Sequence, residues 1–311
     1  MQGTSAAGKG ESRPPKAMTL RRVWTDTAAG RVHARVGGET LDGLPVVLVH
    51  GMVISSRYMV PTALELASLS PVYAIDLPGY GDSVKPRAIL GLRELADALA
   101  AWMDAMRFPS AYLVANSFGC QVLAEFALRH VNRVARLVFQ GPTVDPSARS
   151  VRQQLVRLIQ NSSSEAPGLA WITMGDYMKA GMRRIRATIR MAIEDRIEDK
   201  LPRIVAPTLV VRGGRDPLVP QPWAEEVVRR LPRGTLRVLP GLGHTINYTA
   251  PREFVATLRP FLHSVRSGMA EPVKYVADFD SATGMLRALA ASLGARVFLS
   301  LAPCAHQEHR S

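Results

Sequence analysis

The sequence predicts an α/β fold, a mostly parallel twisted sheet flanked by helices with a helical insertion. Two observations carry this. From Leu44 onward, short β-branched runs alternate with segments of helical period, as parallel strands joined by helical crossovers do. Between Asp145 and Leu201 the alternation stops and only helical pattern remains. A chain of 311 residues, 47% hydrophobic, can bury one such domain and carry an insertion.

The buried-strand candidates are Val46–Val49, Val72–Ile75, Ala111–Ala115, Arg136–Phe139, Thr208–Arg212 and Thr235–Leu239. Upstream, Leu20–Thr25 and Arg31–Val36 alternate polar with apolar, as an antiparallel leading edge does. Leu92, Leu95, Leu99, Trp102 and Met106 recur at helical spacing and mark one apolar face. Gln121–His130 follows a strand through a tight turn. Trp223–Arg230 and Arg252–Leu262 follow the last two strands, with Pro251 suited to a first helical turn.

In the insertion, two helical segments flank the polar stretch Asn161–Pro167. Met178, Met182, Ile185, Ile189 and Ile193 form an apolar stripe with Arg183, Arg186 and Arg190 beside it. Its place predicts a lid over the carboxyl ends of the strands, where open α/β sheets bind ligands. The stripe either packs the insertion on the core or lines an acyl pocket. The arginines either are solvated or face that pocket. The organisation expected is a disordered leader over 1–18, a core of 19–144 and 201–268, a helical cap over 145–200, and a C-terminal extension of unassigned role over 269–311.

Composition excludes several classes. Residues Met1 to Met18 lack the apolar segment of a secretory signal. The mildly apolar stretch Met285–Cys304 contains Arg287, Gly294, Arg296 and Pro303; a mid-membrane arginine costs about 2.5–3.5 kcal/mol, so no stable membrane insertion is expected. Cys120 and Cys304 have neither metal-ligand spacing nor a disulfide framework, which fits a reducing, cytoplasmic setting. The net charge of +13 is mostly arginine. Without zinc-finger spacing or an aromatic RNA-binding segment, it predicts no nucleic-acid partner. Oligomeric state is not read from the sequence.

The chemistry concentrates in four short segments. Ala115-Asn116-Ser117-Phe118-Gly119 joins a strand to a helix, the context of a nucleophile elbow. Such a turn strains the serine and needs small residues two before and two after it. Ala115 and Gly119 meet that need, with alanine where the first glycine is usual. The amide of Phe118 can then donate to an oxyanion. His50-Gly51-Met52 ends the strand Val46–Val49; Gly51 permits close backbone approach and the amide of Met52 is the second oxyanion donor. His50 is read as a brace for this loop rather than a base.

Asp216, in Gly213-Gly214-Arg215-Asp216-Pro217, follows a strand and can orient a histidine. His244, after Gly241-Leu242-Gly243, lies past the next strand and supplies the base. Alone, an Asp-Pro would be a turn and a loop histidine incidental. Together they place donor, nucleophile, acid and base at one sheet edge, in chain order Ser, Asp, His. Asp145, after the preceding strand, is the competing acid. His33, His130, His263, His306 and His309 have no comparable setting.

With these motifs the chain resembles the α/β-hydrolase superfamily from about Leu20 to Val265. Asp76-Leu77-Pro78-Gly79-Tyr80-Gly81-Asp82-Ser83 is similar to the superfamily's Asp-x-Pro-Gly-x-Gly-x-Ser segment, physically a Gly/Pro turn with polar caps. Serine at the elbow separates the chain from haloalkane dehalogenases and epoxide hydrolases, which use aspartate there. Asn116-Ser117 resembles the elbow of C–C hydrolases, but their glycine-rich oxyanion loop is replaced by Met52-Val53-Ile54-Ser55-Ser56.

The resemblance implies a carboxylesterase-type serine hydrolase with a helical cap, acting on a small or medium ester through an acyl-enzyme, without cofactor or metal. The alternatives are a C–C bond hydrolase of ring-fission diketones, a cofactor-free perhydrolase or haloperoxidase-like enzyme, and a non-catalytic ligand-binding protein on the same fold.

Overall fold

A computed structural model describes residues 19–162 and 166–263. The predicted leader, the extension and the stretch Met285–Cys304 lie outside the described residues. Among the described residues eight strands, β1 (Arg21–Thr27), β2 (Gly30–Gly37), β3 (Val46–Val49), β4 (Val72–Ile75), β5 (Ala111–Asn116), β6 (Val134–Gln140), β7 (Thr208–Gly213) and β8 (Gly234–Leu239), form one sheet. Its order is β1-β2-β4-β3-β5-β6-β7-β8. The first two strands pair antiparallel, β2 joins β4 antiparallel, and the remaining pairs are parallel.

The helices are α1 (Val60–Leu66), α2 (Leu92–Ala105), α3 (Phe118–Arg129), α4 (Val151–Ser162), α5 (Pro167–Glu194), α6 (Ile197–Lys200), α7 (Gln221–Arg230), α8 (Ile246–Thr249) and α9 (Pro251–His263). The elbow helix α3 begins at Phe118, earlier than the predicted Gln121, because the elbow turn closes directly into it. Helix α1 has no counterpart in the sequence reading. It is short, opens with proline in its first turn, and buries only Thr62, Ala63 and Leu66, too few positions to establish a period.

Strand β3 shows why the central strands read as continuous apolar runs: all four of its residues are buried, because helices cover both faces. Alternation decides which layer each side chain joins. Val47, Val49, Leu113, Phe139 and Val210 pack with α2, α3 and α7 through Leu99, Trp102, Leu123, Phe126 and Val227. Val46, Leu48, Val114, Val138 and Leu209 pack with α1 and α9 through Leu66, Phe254 and Leu258. Each fully buried side chain of this size contributes about 1.5–3 kcal/mol relative to exposure.

The segment after β4 folds around Asp76. This buried carboxylate accepts from His33 Nδ1 at 2.8 Å, from the Ser56 amide at 2.5 Å and from the Asp82 amide at 2.8 Å. At Gly81, where φ is +52°, an added Cβ would stand 2.2 Å from that carboxylate, so the motif's second glycine is a steric requirement. His33 thus has an acid partner that the sequence did not reveal, because β2 and the turn after β4 are distant in the chain.

Burial pushes the Asp76 carboxyl up, but the His33 hydrogen bond and the amides of Asp82 and Ser56 outweigh it and hold it at about 2, against an ordinary 3.8. The folded value lies below the unfolded one, so the associated stability is present above pH ~4 and lost as the pH falls towards ~2, about 2 kcal/mol in all. Asp76→Asn is expected to lower urea stability at neutral pH and to flatten its decline between pH ~4 and ~2. Acid slopes parallel to those of the wild type would refute this.

Candidate active site

The register of the parallel strands brings the predicted site residues to one edge. Val49 lies opposite Ala115, Asn116 opposite Gln140, Gln140 opposite Val211 and Gly213 opposite Leu239. The loops leaving β3, β5, β6, β7 and β8 therefore emerge side by side, carrying His50, Ser117, Gly141, Asp216 and His244.

Ser117 sits between β5 and α3 with φ 53° and ψ −122°, a conformation that non-glycine residues adopt only under constraint. Its amide donates to the Gln140 carbonyl at 2.9 Å, and its carbonyl accepts from the Cys120 amide at 2.9 Å. A Cβ on Gly119 would lie 2.6 Å from the His50 carbonyl oxygen and 3.2 Å from the Ala115 side chain. Those distances explain why both flanking residues are small: β3 passes directly beneath the elbow. Phe118 is the first residue of α3, so its amide has no acceptor within the helix.

His50 is fully buried. Its Nε2 accepts from the Leu77 amide at 3.1 Å, which leaves Nδ1–H to donate to the Gly51 carbonyl at 2.9 Å. Burial pulls its pKa down, favouring this neutral, doubly bonded ring. His50 thereby ties the loop bearing Gly51 and Met52 to the turn around Asp76. The side chain of Asn116 approaches Gly51 so closely that a Cβ there would meet it at 2.8 Å.

Asp216 and His244 meet at the same edge. His244 Nδ1 donates to Asp216 Oδ2 at 2.7 Å, with both side chains almost completely buried. The other carboxylate oxygen accepts the amides of Leu218 and Val219 at 2.9 and 3.1 Å, which fixes its plane. Gly213 makes the approach of the two loops possible: a Cβ there would fall 2.1 Å from the Gly243 carbonyl oxygen. Asp145, the competing acid, is engaged elsewhere. It pairs with Arg157 at 2.8 Å and accepts the Ser147 amide and hydroxyl. Burial raises its pKa, but the Ser147 and Arg157 contacts bring it below the usual range.

Four further residues belong to this constellation and were not singled out from the sequence. Gln140 accepts from the Asn116 side chain at 2.5 Å and donates to the His244 carbonyl at 2.7 Å, linking the turn at Ser117 to the loop of His244. Gly141, with φ +59°, faces the imidazole: a Cβ would stand 2.8 Å from His244 Cε1. Thr143 places its hydroxyl 3.4 Å from that of Ser117. Asn161, on α4, accepts the His244 amide at 3.0 Å. Only the Gly-Pro after a strand could have pointed to Gly141; the rest depend on contacts across long sequence separations.

Among the described residues, the regular elements between β6 and β7 are all helices. Several polar contacts join them to the edge: Asn161 to His244, Arg157 to the Leu218 carbonyl at 3.3 Å, and Asp176, which accepts from the Ser55 hydroxyl at 2.6 Å. The predicted Met/Ile stripe is interrupted between Met178 and Met182 by Gly181, whose φ of 75° kinks α5. Met178 and Met182 are exposed, whereas Ile185, Ile189 and Ile193 are half-buried. Of the arginines beside it, Arg183 donates to the Arg87 carbonyl and Arg190 pairs with Glu194, both at exposed positions.

Among the described residues, His33, Asp76 and Asp82 bring three possible metal-ligand atoms within 4.8 Å. Each is already engaged: Arg22 and Lys179 both pair with Asp82, and Arg22 also donates to His33 Nε2. Two fixed cations supply the charge a metal would, so the cluster is an ion-pair network. No helix among the described residues is long and apolar enough to cross a membrane.

Comparison with known proteins agrees with this architecture. The chain is 26% identical over 262 residues to "Putative carbamate hydrolase RutD" of Caulobacter sp. (strain K31), covering 76% of this chain and 97% of that protein. It is 26% identical over 249 residues to the 2-hydroxy-6-oxo-2,4-heptadienoate hydrolase of Pseudomonas putida (strain F1), covering 71% and 89%. The fold is similar to that of a serine hydrolase involved in carbazole degradation, with a TM-score of 0.66 at 21% identity, covering 78% and 99%. The model of the alpha/beta hydrolase family matches residues 46–257, and the chain belongs to that family.

Proposed function

We propose that this protein is a carboxylic ester hydrolase in which Ser117 is the nucleophile, His244 the general base and Asp216 the orienting acid. The observation that supports it most is the buried 2.7 Å contact of His244 with Asp216, at the sheet edge where Ser117 is held in its strained turn. Asp216 accepts from Nδ1–H, so the imidazole presents Nε2 as the basic atom. His244 then removes the hydroxyl proton as Ser117 Oγ bonds to the ester carbonyl carbon. The resulting oxyanion is stabilised by the amides of Phe118 and Met52. Collapse breaks the C–O bond, the leaving alcohol takes the proton from His244, and water hydrolyses the acyl-enzyme by the reverse sequence.

In this reading His50, Gly51 and Asn116 support the oxyanion loop, residues 145–200 form the cap, and 19–144 with the segment from 201 form the core. The polar contacts of Asn161, Arg157 and Asp176 with the edge support a cap seated over the site. A second reading, C–C bond hydrolysis, is supported by the similarity to the heptadienoate hydrolase.

A panel of p-nitrophenyl esters from acetate to octanoate, assayed beside a ring-fission dienoate and an aryl carbamate, tests the assignment. Turnover of the esters is expected to dominate in kcat/KM. Preference for the dienoate would favour C–C chemistry, and preference for the carbamate would also overturn the ester reading.

A further inference from the structure

Helices α4 and α5 leave many large apolar side chains exposed. On α4, Val151, Leu155, Leu158 and Ile159 recur at one face of the helix, the stripe that a globular helix ordinarily buries. Their exposures are 59%, 54%, 40% and 63%. Along α5, Trp171, Met174 and Met178 repeat at helical spacing before the kink at Gly181 and are 81%, 59% and 78% exposed, and Met182, just after it, is 61% exposed. The inner side of α5 packs on the core through Leu169, Tyr177, Ile185 and Ala192, and polar contacts add to the seating: Asn161 with His244, Arg157 with Asp145, Asp176 with Ser55, and Arg184 with the Pro86 carbonyl. A solvated surface rarely concentrates so many large apolar side chains on two neighbouring elements in sequence.

Charge identifies what such a face would meet. Residues 151–194 contain Arg152, Arg157, Lys179, Arg183, Arg184, Arg186 and Arg190 against Glu165, Asp176 and Glu194, within a chain of net charge +13; Arg157, Lys179 and Arg190 pair with Asp145, Asp82 and Glu194, and Arg184 is buried. Arg152 and Arg186 are exposed. A second copy of the chain would bring like charge against like charge. An anionic bilayer offers negative headgroups to the arginines and an apolar layer to the side chains between them. Tryptophan favours that boundary, and methionine adapts to irregular apolar surroundings.

We propose that the exposed side chains of α4 and of α5 from Trp171 to Arg186 dock peripherally on an anionic phospholipid surface, without spanning it. The docking face is distinct from Ser117, Asp216 and His244, so it can be measured independently of any catalytic reading.

The test is flotation of the full chain with vesicles of phosphatidylcholine alone and of phosphatidylcholine mixed with phosphatidylglycerol. The wild type is expected to float with the mixed vesicles, and its bound fraction to fall as salt screens the headgroups. Trp171→Glu with Met178→Glu should weaken binding about 10-fold or more, because two apolar anchors become charged. Arg152→Glu with Arg186→Glu should remove most of the preference for phosphatidylglycerol. All four positions are exposed, and circular dichroism with thermal melting checks that each variant remains folded. Failure of the wild type to float, equal binding to both vesicle types, or unchanged binding by folded variants would overturn the proposal. So would a sedimenting dimer that Trp171→Glu dissolves, which would assign the face to a second copy.

Discussion

Ser117→Ala is expected to lower ester turnover by about 10⁶-fold, the scale on which triad nucleophiles are lost elsewhere. Without Oγ no acyl-enzyme forms, and catalysis retreats to whatever the oxyanion donors provide to attacking water. That residue of activity is expected to remain about 10³–10⁴-fold above the uncatalysed reaction, because the amides of Phe118 and Met52 belong to the backbone and survive the substitution. KM should change little, since the hydroxyl contributes mainly to the transition state. A fluorophosphonate probe followed by intact-mass measurement gives a direct check. The wild type should gain one adduct and Ser117→Ala none; equal labelling of both would remove Ser117 from the mechanism.

The second large effect concerns the acid. Asp216→Asn is expected to cost about 10⁴-fold in kcat, because an amide in that place no longer enforces the Nδ1–H tautomer and no longer stabilises the imidazolium. The surroundings sharpen the expectation: Oδ1 is occupied by the amides of Leu218 and Val219, leaving Oδ2 to face the imidazole. An asparagine that keeps its oxygen on those amides must turn its NH2 toward His244 Nδ1. Asp145→Asn should reduce kcat by less than about 10-fold, since its carboxylate serves Arg157 and Ser147 rather than the histidine. Steady-state kinetics on one ester compares the two variants, and equal losses would reject Asp216 as the dedicated partner.

Much of this arrangement was legible from residue order. The bounds of β3 and β4 match the predicted strands because those segments are short, β-branched and buried on both faces, so every position carries the same signal. The segments of Met52, Ser117, Asp216 and His244 could be placed at one sheet edge from residue order because each follows a strand, a position that sequence pattern can locate. Gln140 also ends a strand, yet its role depends on reaching Asn116 and the His244 loop across the sheet edge. His33 appeared to have no setting of note, whereas it is the buried partner of Asp76.

The Met/Ile stripe is the most instructive case. Its period was read correctly as helical, but period alone does not say which side of a helix faces the core. Met178 and Met182, on either side of the kink at Gly181, are exposed, whereas the isoleucines are half-buried. Local order along this chain therefore determined the fold class, the strand ends and the residue types at the edge, because hydrophobic period and turn chemistry act over a few neighbours. Tertiary structure alone decided that His244 meets Asp216 rather than Asp145, that Asn161 reaches the loop of His244, and which apolar side chains of α4 and α5 stay exposed. Those outcomes depend on the register of strands and the seating of helices brought together from distant parts of the chain, where contact, not sequence spacing, sets the distances.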